Sequence, residues 1–471
     1  MKTNHSSCTA ILVGKKATMD GSTIIARNED GYGAIGPKKF IVHAARHGQP
    51  DTYTSVTTGV KIDLPADALR YTAEPSVPTD EGLYEEAGIN EKNVAMSATE
   101  TTFTNPRVLG FDPLVHNGVD EEAMVTLVLP YINSAREGVQ RLGDFIEDYG
   151  TGESNGIAFS DKDEVWYMET AGGHHWAAVR LPDDAYAVAP NQINIQTIDF
   201  NDTDNFMWAK DLQEFVTDNQ LNPTPGTFKF REIFGTHTES DAHYNTPRAW
   251  YGEKLFTPDL EQEPTSQQIP FIQHANRKLA VEDVEYFLTS HYQETPFDPF
   301  GDGTPAQKKT FRSIALDRNQ ISHILQIRPN VDAAHAAVEW MAMGFFAYSP
   351  YVPFFTNIND TPTNYKNTTE AVSLDNAYWL YKSLGVLVEP HYHDFIVEVN
   401  EYRDACQAYA RSRVIAADAE AGSQADTTAY LTKQNDVTAA EITKRTKTLM
   451  DHLVKEALEL SPVTFEPGDN L

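Results

Sequence analysis

Cys8 is the residue with the clearest capacity for chemistry, and it stands in the stretch "HSSCTAILV". It is one of only two cysteines among 471 residues. A cysteine in such an apolar run is most often a small buried hydrophobe. It can also be a nucleophile: if the seven preceding residues were removed, Cys8 would carry a free α-amine with a pKa of about 8, which can act as its base. Both interpretations remain open at this point.

Two charged residues strengthen the catalytic interpretation. "CTAILVG" and "STIIARN" predict a strand pair, and Asp20-Gly21 between them is a turn signal. This hairpin brings Arg27 and Asp30, in "ARNED", to the tip of the strand beside the one that Cys8 begins. A guanidinium near a thiol favours the reactive thiolate.

Further strands and one helix are expected around this hairpin. "NVAMSATETTF" predicts a third strand, residues 93–103, that could bring Thr99 and Glu100 to the same end of the sheet. "SAREGVQRLGDFIEDYG" predicts a helix with a capping box of Ser134 and Glu137 and with a stripe of apolar residues on one face. "NGIAFS", "EVWYMET", "HHWAAVRL" and "AYAVAPNQ" are separated by short turns, which is typical of an antiparallel meander.

Helices are expected to dominate from about Asp332, and a second capping box, Thr438 with Glu441, predicts the start of the last helix. Strands and helices that alternate in blocks favour an α+β fold with layers that share one core.

Composition excludes several classes of function. Lys and Arg number 37 against 68 Asp and Glu, a formal net charge of −31, which repels nucleic acid and anionic membranes. No window reaches the roughly 20 apolar residues that cross a bilayer, and "MKTNHSS" lacks the apolar core of a secretory signal. We therefore expect a cytoplasmic protein without nucleic-acid or membrane partners. A homo-oligomer is expected, with the number of subunits left open.

Metal and cofactor motifs are weak or missing. His174-His175 and the pair His391 and His393 lie outside the helical H-E-x-x-H frame of zinc peptidases. "DPFGDG" lacks the glutamate that closes a calcium loop. The sequence has no P-loop motif, G-x-x-x-x-G-K-[ST]. We expect no cofactor and no metal ion, and Cys406, within a helical pattern, is expected to serve packing.

Four stretches together resemble a known family. They are "CTAILVGKKATMDGSTIIARNED", "GINEKNVAMSATET", "FSDKDEVWYMETAGGHHWAAVRLPDDAYAVAPNQ" and "YVPFF". In order and spacing they are similar to the dipeptidase A group of cysteine peptidases, which includes bacterial dipeptidases and, more distantly, the secernins. That group belongs to the N-terminal nucleophile hydrolases. The resemblance implies a four-layered αββα sandwich, with two antiparallel sheets flanked by helices.

The resemblance also implies roles for individual residues. Cys8 would be the nucleophile, and Ser7-Cys8 the bond broken during maturation. The Arg-x-x-Asp of the wider fold family matches Arg27 and Asp30, and its oxyanion asparagine matches Asn191 in "APNQ".

Two more positions are implied to bind substrate. Arg312, in "KTFRSI", matches a late arginine near the nucleophile. Glu100 stands where related amidases carry an asparagine, and from this position we expect it to hold the substrate's ammonium group.

The sequence thus predicts a cysteine dipeptidase that hydrolyses dipeptides of broad sequence through a thioester. It predicts a propeptide, residues 1–7, and one domain, residues 8–471, whose region from about 332 to 471 is helical. Three alternatives stay open: an acyl-amide hydrolase of the same fold, acting on bile salts or penicillin V; a non-catalytic, secernin-like interaction protein; and a metallohydrolase.

Overall fold

The computed structural model describes residues 8–463, with the side chain of Glu100 excepted. The predicted propeptide, residues 1–7, and the Ser7-Cys8 bond lie outside the described residues. Within the described part of the chain, no helix combines the length and the apolar character that crossing a bilayer requires.

Antiparallel strands form the centre of the protein. In chain order, β1 to β17 are Thr9–Val13, Thr23–Asp30, Ile41–His43, Asp51–Thr54, Lys61–Leu64, Tyr71–Ala73, Ala87–Ile89, Ala95–Thr102, Ser154–Ser160, Val165–Thr170, Trp176–Arg180, Tyr186–Ala189, Phe206–Trp208, Ile272–Gln273, Asn319–Ile327, Ala337–Met343 and Val352–Phe355.

Helices occupy much of the remaining chain. In chain order, α1 to α11 are Pro106–Leu109, Glu121–Val128, Ala135–Tyr149, Leu212–Asp218, Phe230–Phe234, Thr246–Phe256, Val281–Leu288, Thr363–Lys366, Ala377–Val388, Tyr392–Ala421 and Thr427–Glu459.

The strands form two large sheets and two small hairpin-like pairs. The larger sheet has seven strands in the order β14-β12-β1-β2-β15-β16-β17, and the smaller has six in the order β13-β11-β10-β9-β8-β7. Every neighbouring pair in both sheets is antiparallel. The expected α+β class with antiparallel sheets is therefore confirmed.

The predicted hairpin of β1 and β2 is present at the middle of the larger sheet, with Ile11 opposite Ala26. Every residue of both strands is buried. This explains why β1 and the first half of β2 are nearly continuous apolar runs that do not alternate with polar residues.

The two faces of the larger sheet belong to different cores. Ile25 and Leu325 pack in one apolar cluster with residues of the smaller sheet and of α2 and α3. Ile24 and Ile324 pack in a second cluster with residues of α7, α9, α10 and α11. Because successive side chains of a strand point to opposite faces, the larger sheet separates the smaller sheet from this second group of helices.

The meander prediction is correct for three strands and wrong for the fourth. β9, β10 and β11 are consecutive in the smaller sheet, but β12 pairs with β1 in the larger one. The crossover residues lie against Gly14, where a Cβ atom would stand 2.5 Å from the Asp183 carbonyl oxygen. Turn residues in the sequence indicate the connection between β11 and β12, but they do not indicate which of the two sheets β12 joins.

The helix predictions have mixed outcomes. α3 begins after Ser134, whose side chain accepts a hydrogen bond from the Glu137 backbone N–H, as predicted. The helical C-terminal region starts later than Asp332, because β16 and β17 lie between that residue and α8. Thr438 lies inside α11, whose N-cap is Asp426, so the second capping box is wrong. The helix already begins at Thr427, N-terminal to Thr438.

We expect Leu325→Ala to lower the free energy of unfolding by about 2–5 kcal/mol, since it empties space between the two sheets. Leu325 is fully buried, whereas Leu458, with 70% of its surface exposed, supplies the matched control Leu458→Ala. Denaturant titration of both variants measures the effect. A loss for Leu325→Ala no larger than that of the control would contradict the packing described here.

Candidate active site

Cys8 and Arg27 meet on the face of the larger sheet that is turned toward the smaller sheet. Cys8 immediately precedes β1 and is 1% exposed. Arg27 lies on β2, opposite Ala10 of β1 and opposite His323 of β15. Arg27 Nη1 is 3.1 Å from Cys8 Sγ. The sequence prediction that the hairpin brings these two residues together is thus met by the geometry.

Arg27 is held from several sides. Its Nη1 donates to the Thr99 carbonyl oxygen at 2.8 Å, and its Nη2 donates to the Ala98 carbonyl oxygen at 2.8 Å. Both acceptors belong to β8 of the smaller sheet. Nη2 also donates to Glu86 Oε2 at 2.7 Å. A rigid guanidinium with this many acceptors has little freedom to move away from the sulfur.

The charge of Arg27 is compensated inside the protein. Burial by itself lowers the pKa of Arg27, but attraction to Cys8 and to Glu86 outweighs it and places that pKa well above its usual value. Glu86 also pairs with Lys38, at 2.9 Å, and Lys38 with Glu29, at 3.1 Å. Burial opposes ionisation of Glu86, yet Lys38 and Arg27 together lower its pKa. Arg27 is therefore a permanent positive charge beside the thiol, a setting that favours the thiolate.

A chain of hydrogen bonds through Ser97, His323 and Glu74 also holds Arg27. Arg27 Nε donates to Ser97 Oγ at 3.1 Å, and this hydroxyl is 2.8 Å from His323 Nε2. His323 Nδ1 is 2.8 Å from Glu74 Oε2. Burial, followed by the positive charge of Arg27, lowers the pKa of His323 well below its usual value. The imidazole is therefore neutral and orients Arg27 through Ser97 without competing for its counterions.

Asp30 and Arg312 also lie together. Asp30 is 1% exposed, accepts a hydrogen bond from Asn319 Nδ2 and forms an ion pair with Arg312. Arg312 Nη1 is 3.4 Å from Thr9 Oγ1, the hydroxyl of the residue after Cys8. The late arginine of the resemblance therefore lies beside the chain segment that carries the nucleophile.

Asn191 is linked to the same segment by an arginine that the sequence did not single out. Arg248, on α6, donates from Nη2 to Asn191 Oδ1 at 2.8 Å and from Nη1 to the carbonyl oxygen of Cys8. Asn191 Nδ2 donates to the Thr101 carbonyl oxygen at 3.0 Å. Because the side-chain oxygen of Asn191 accepts this hydrogen bond from Arg248, the side-chain nitrogen of Asn191 points away from Arg248. "NTPRAW" contains only a helix-start signal, so no sequence pattern marked Arg248 as part of a site.

The segment that carries Asn191 is anchored by a buried carboxylate. Glu169, on β10, accepts hydrogen bonds from the backbone N–H groups of Asn194 and Ile195, at 2.6 Å and 3.1 Å. Burial raises the pKa of Glu169 to about 7, although these hydrogen bonds oppose the rise. The smaller sheet thereby fixes a loop that leaves the larger sheet.

A cavity of about 250 Å³ opens beside Cys8. Its wall includes Lys38, Tyr32, Tyr84 and Gln320, and several carboxylates from the end of β2, from the segment before β7 and from the start of α2. The nucleophile candidate thus faces a partly open cavity that is large enough for a small molecule and too small for a folded chain.

Glu100 is placed only through its backbone. It lies on β8, opposite Gly156 of β9, one residue after Thr99, whose carbonyl oxygen binds Arg27. Its side chain is outside the described part of the structure, so its predicted contact with substrate stays a prediction.

The histidine and aspartate motifs form internal contacts away from this cavity. His174 Nδ1 and His175 Nδ1 lie 3.0 Å and 2.7 Å from the two carboxylate oxygens of Asp112. In "DPFGDG", Asp298 Oδ1 is 2.8 Å from His291 Nδ1. Each motif therefore pairs an imidazole with a carboxylate, an arrangement that fixes turns.

Comparison with known proteins identifies the family. The model of Peptidase family C69 matches residues 7–405, a span that starts one residue before Cys8. The chain belongs to this family.

Similar curated proteins extend over nearly the same length. The "Probable dipeptidase" of Latilactobacillus sakei is 51% identical over 99% of this chain and 98% of its own. The "Probable dipeptidase B" of Lactococcus lactis subsp. lactis is 46% identical over 95% of both chains. The "Dipeptidase A" of Lactobacillus helveticus is 49% identical over 82% of this chain and 83% of its own. The predicted family and the peptide hydrolase class are therefore confirmed.

We expect Arg27→Gln to move the pH midpoint of Cys8 alkylation upward by about 1 to 3 pH units, because a neighbouring positive charge is lost. Mass spectrometry of peptides after iodoacetamide treatment at a series of pH values measures this. Cys406 is an internal control, since burial raises the pKa of its thiol to about 11 and Arg27 does not contact it. An unchanged midpoint at Cys8 in folded protein would contradict the role of Arg27.

Proposed function

We propose that this protein is a dipeptidase in which Cys8, freed from residues 1–7, is both nucleophile and N-terminal residue. The observation that carries the proposal is the 3.1 Å contact between Arg27 Nη1 and Cys8 Sγ at the wall of a cavity of about 250 Å³. The relatives named dipeptidase, which cover nearly the whole chain, support the same substrate class.

Maturation supplies the base. Hydrolysis of the Ser7-Cys8 bond releases residues 1–7 and leaves an α-amine on Cys8, with an unperturbed pKa of about 8. The amine, directly or through one water molecule, takes the thiol proton. Arg27 stabilises the thiolate that forms, and Asp30, held by Arg312 and Asn319, orients the new amino terminus.

The first chemical step forms a thioester. The sulfur attacks the peptide carbonyl carbon, and the charge develops on the carbonyl oxygen. Asn191 Nδ2 donates a hydrogen bond to that oxygen, and such a donor is worth roughly 3 kcal/mol in other acyl-transfer enzymes. Arg248 holds the Asn191 amide in the required orientation through Oδ1. When the C–N bond breaks, the protonated amine of Cys8 gives its proton to the departing amino acid.

The second step restores the enzyme. Water, deprotonated by the same amine, attacks the thioester carbonyl carbon, and the C–S bond breaks to release the second amino acid and the thiolate. All the proton transfers use groups of Cys8 and water, so the mechanism requires no metal ion and no cofactor.

The arrangement of the sheets supports assignment to the N-terminal nucleophile hydrolases. One face of the larger sheet packs with the smaller sheet, and helices pack on its other face and on the smaller sheet. This packing supports the proposal of an αββα sandwich. In this proposal residues 8–471 form one domain, and the nucleophile stands at the start of a central strand.

Several finer assignments belong to the same proposal. Arg312 and Glu100 are assigned to substrate binding, and the protein is assigned to the cytoplasm as a homo-oligomer. The net charge of −31 supports the absence of nucleic-acid partners, since it repels phosphate backbones.

The decisive experiment combines N-terminal mass measurement with assays on a panel of dipeptides, penicillin V and a conjugated bile acid. We expect the active protein to begin at Cys8 and to hydrolyse dipeptides in preference to the acyl amides. Cys8→Ala is expected to abolish turnover, because no other group replaces the sulfur, and Cys406→Ala serves as the matched control. Full activity in a chain that still carries Met1, or in Cys8→Ala, would refute the proposal; preference for the acyl amides would favour the amidase alternative.

We expect Arg248→Lys to lower kcat for dipeptides by about 10- to 100-fold, because a lysine cannot bind the Cys8 carbonyl oxygen and Asn191 Oδ1 together. Arg180→Lys is the control, since Arg180 pairs with Glu164 and Asp183. Steady-state kinetics separate kcat from KM. An effect on KM alone, with kcat unchanged, would be incompatible with orientation of Asn191 for the chemical step.

A further inference from the structure

The cavity beside Cys8 is lined by an excess of acidic side chains. Its carboxylates are Glu29, Asp30, Asp80, Glu81, Glu86 and Glu121. Three of them have basic partners: Glu29 and Glu86 share Lys38, Glu86 also binds Arg27, and Asp30 binds Arg312. Asp80 and Glu81 are exposed to solvent at the mouth. Glu121 differs from both groups, because it is buried and has no cation.

Glu121 is the first residue of α2 and is only 4% exposed. Among residues 8–463, no lysine, arginine or histidine side chain forms an ion pair with it. Its nearest acidic neighbour is Glu153, whose Oε1 accepts a hydrogen bond from the Glu121 backbone N–H at 3.1 Å. The carboxylate of Glu153 thus lies next to Glu121, which lines the cavity, and neither forms an ion pair with a described basic side chain.

This pairing is electrostatically unfavourable in the empty cavity. Burial, followed by repulsion from Glu153 and Glu86, raises the pKa of Glu121 to about 8. Burial and repulsion from Asp120 raise the pKa of Glu153 to about 7. A cation bound at this place would oppose both shifts, since an opposite charge favours the ionised carboxylate.

Two tyrosines stand beside Glu121. Burial and the neighbouring Glu121 charge are the first two causes that raise the pKa of both Tyr32 and Tyr84, so both phenols stay neutral. Lys38 Nζ already lies 5.1 Å from the centroid of the Tyr84 ring. The wall around Glu121 therefore combines a carboxylate with aromatic rings, the pairing that attracts organic ammonium groups.

We propose that Glu121 binds the α-ammonium group of the substrate and so restricts hydrolysis to the first peptide bond of a free N-terminus. The inference rests on the proposed function. In a dipeptide only one carbon atom separates the ammonium nitrogen from the carbonyl carbon that Cys8 attacks. The ammonium must therefore enter the same small cavity as the Cys8 sulfur, and Glu121 is the buried carboxylate there that forms no ion pair with a described basic side chain.

The assignment explains how the enzyme measures the amino-terminal end of its substrate. An acylated peptide, or a longer peptide bound with an internal bond at Cys8, presents an uncharged amide nitrogen where a dipeptide has its ammonium group. Its binding would leave the Glu121 and Glu153 pair without a cation and would place extra atoms in a cavity of about 250 Å³. Both effects disfavour such substrates, because an amide nitrogen does not provide the charged partner that an ammonium group offers to Glu121, and because the extra atoms crowd the cavity.

Binding is coupled to a proton. Near neutral pH, a Glu121 carboxyl with a pKa of about 8 is mostly protonated in the empty enzyme. When the ammonium group binds, the carboxyl loses this proton to solvent and becomes the counterion. No covalent bond of the substrate changes in this step.

The test compares alanyl-alanine with N-acetyl-alanyl-alanine, each as substrate and as competitive inhibitor of leucyl-glycine hydrolysis, in mature wild-type enzyme and in Glu121→Gln. We expect the variant to weaken alanyl-alanine about 10- to 100-fold, through KM and the inhibition constant more than through kcat. The acetylated peptide is expected to be unaffected or to bind better. The inhibition constant gives a value even where the acetylated peptide is not hydrolysed.

Three further variants make the result specific. Glu121→Asp should retain part of the discrimination, because it keeps the charge and shortens the side chain. Glu214→Gln is the matched control, since Glu214 is an exposed glutamate in the first turn of α4. Glu100→Gln tests the residue that the sequence suggested for the same role.

Equal losses for both peptides in folded Glu121→Gln would overturn the inference, as would loss of discrimination in Glu100→Gln but not in Glu121→Gln. Wild-type enzyme that hydrolyses dipeptides while Glu121→Gln keeps full discrimination would reject this inference and leave the proposed function intact. Wild-type enzyme that hydrolyses no dipeptide would reject both.

Discussion

The contact between the Arg27 guanidinium and the Cys8 sulfur is the interaction on which the site depends. It places a positive charge beside the nucleophile and links the two sheets, because Arg27 also binds the backbone of β8. A buried arginine is costly unless its donors are satisfied, and here the acceptors come from β8 of the smaller sheet and from Glu86. The sulfur therefore lies next to a positive charge only while the sheets remain packed together. Ser97, held by the neutral His323, accepts a further hydrogen bond from Arg27. The thiolate form of Cys8 therefore depends on the register of strands that are distant in sequence.

A second connection joins the nucleophile to the helices. Arg248, on α6, reaches the Cys8 carbonyl oxygen and the Asn191 side chain, while Glu169 fixes the loop after Asn191 from the smaller sheet. The groups assigned to attack and to oxyanion binding are thus held by one arginine. Because a guanidinium presents its donors in a rigid, planar arrangement, Arg248 holds Cys8 and Asn191 at a fixed distance from each other. This arrangement gives the proposed chemistry a preorganised geometry that does not depend on any bound ion.

The charged groups around the cavity are also mostly paired with one another. Positive groups inside the site are engaged: Arg27 and Lys38 with Glu86, and Arg312 with Asp30. A strongly acidic protein with a net charge of −31 has few further cations to offer, and no basic side chain of residues 8–463 forms an ion pair with Glu121. A substrate that brings its own ammonium group supplies the missing charge, so binding and selection of a free amino terminus become the same event.

The sequence alone determined what is local in this protein. β-branched runs and the turn at Gly21 specified the β1 and β2 hairpin, and with it the approach of Arg27 to Cys8, because the partners are close in the chain. Ser134 specified the start of α3 in the same way. The resemblance located Asn191 and Arg312, but not what holds them. Only the tertiary structure decided that β12 joins the larger sheet, that strands continue past Asp332, and that Arg248 and Glu121 lie at the site. Their contacts span up to 240 residues, and such pairings arise from packing between sheets and helices, which no local pattern of residues encodes.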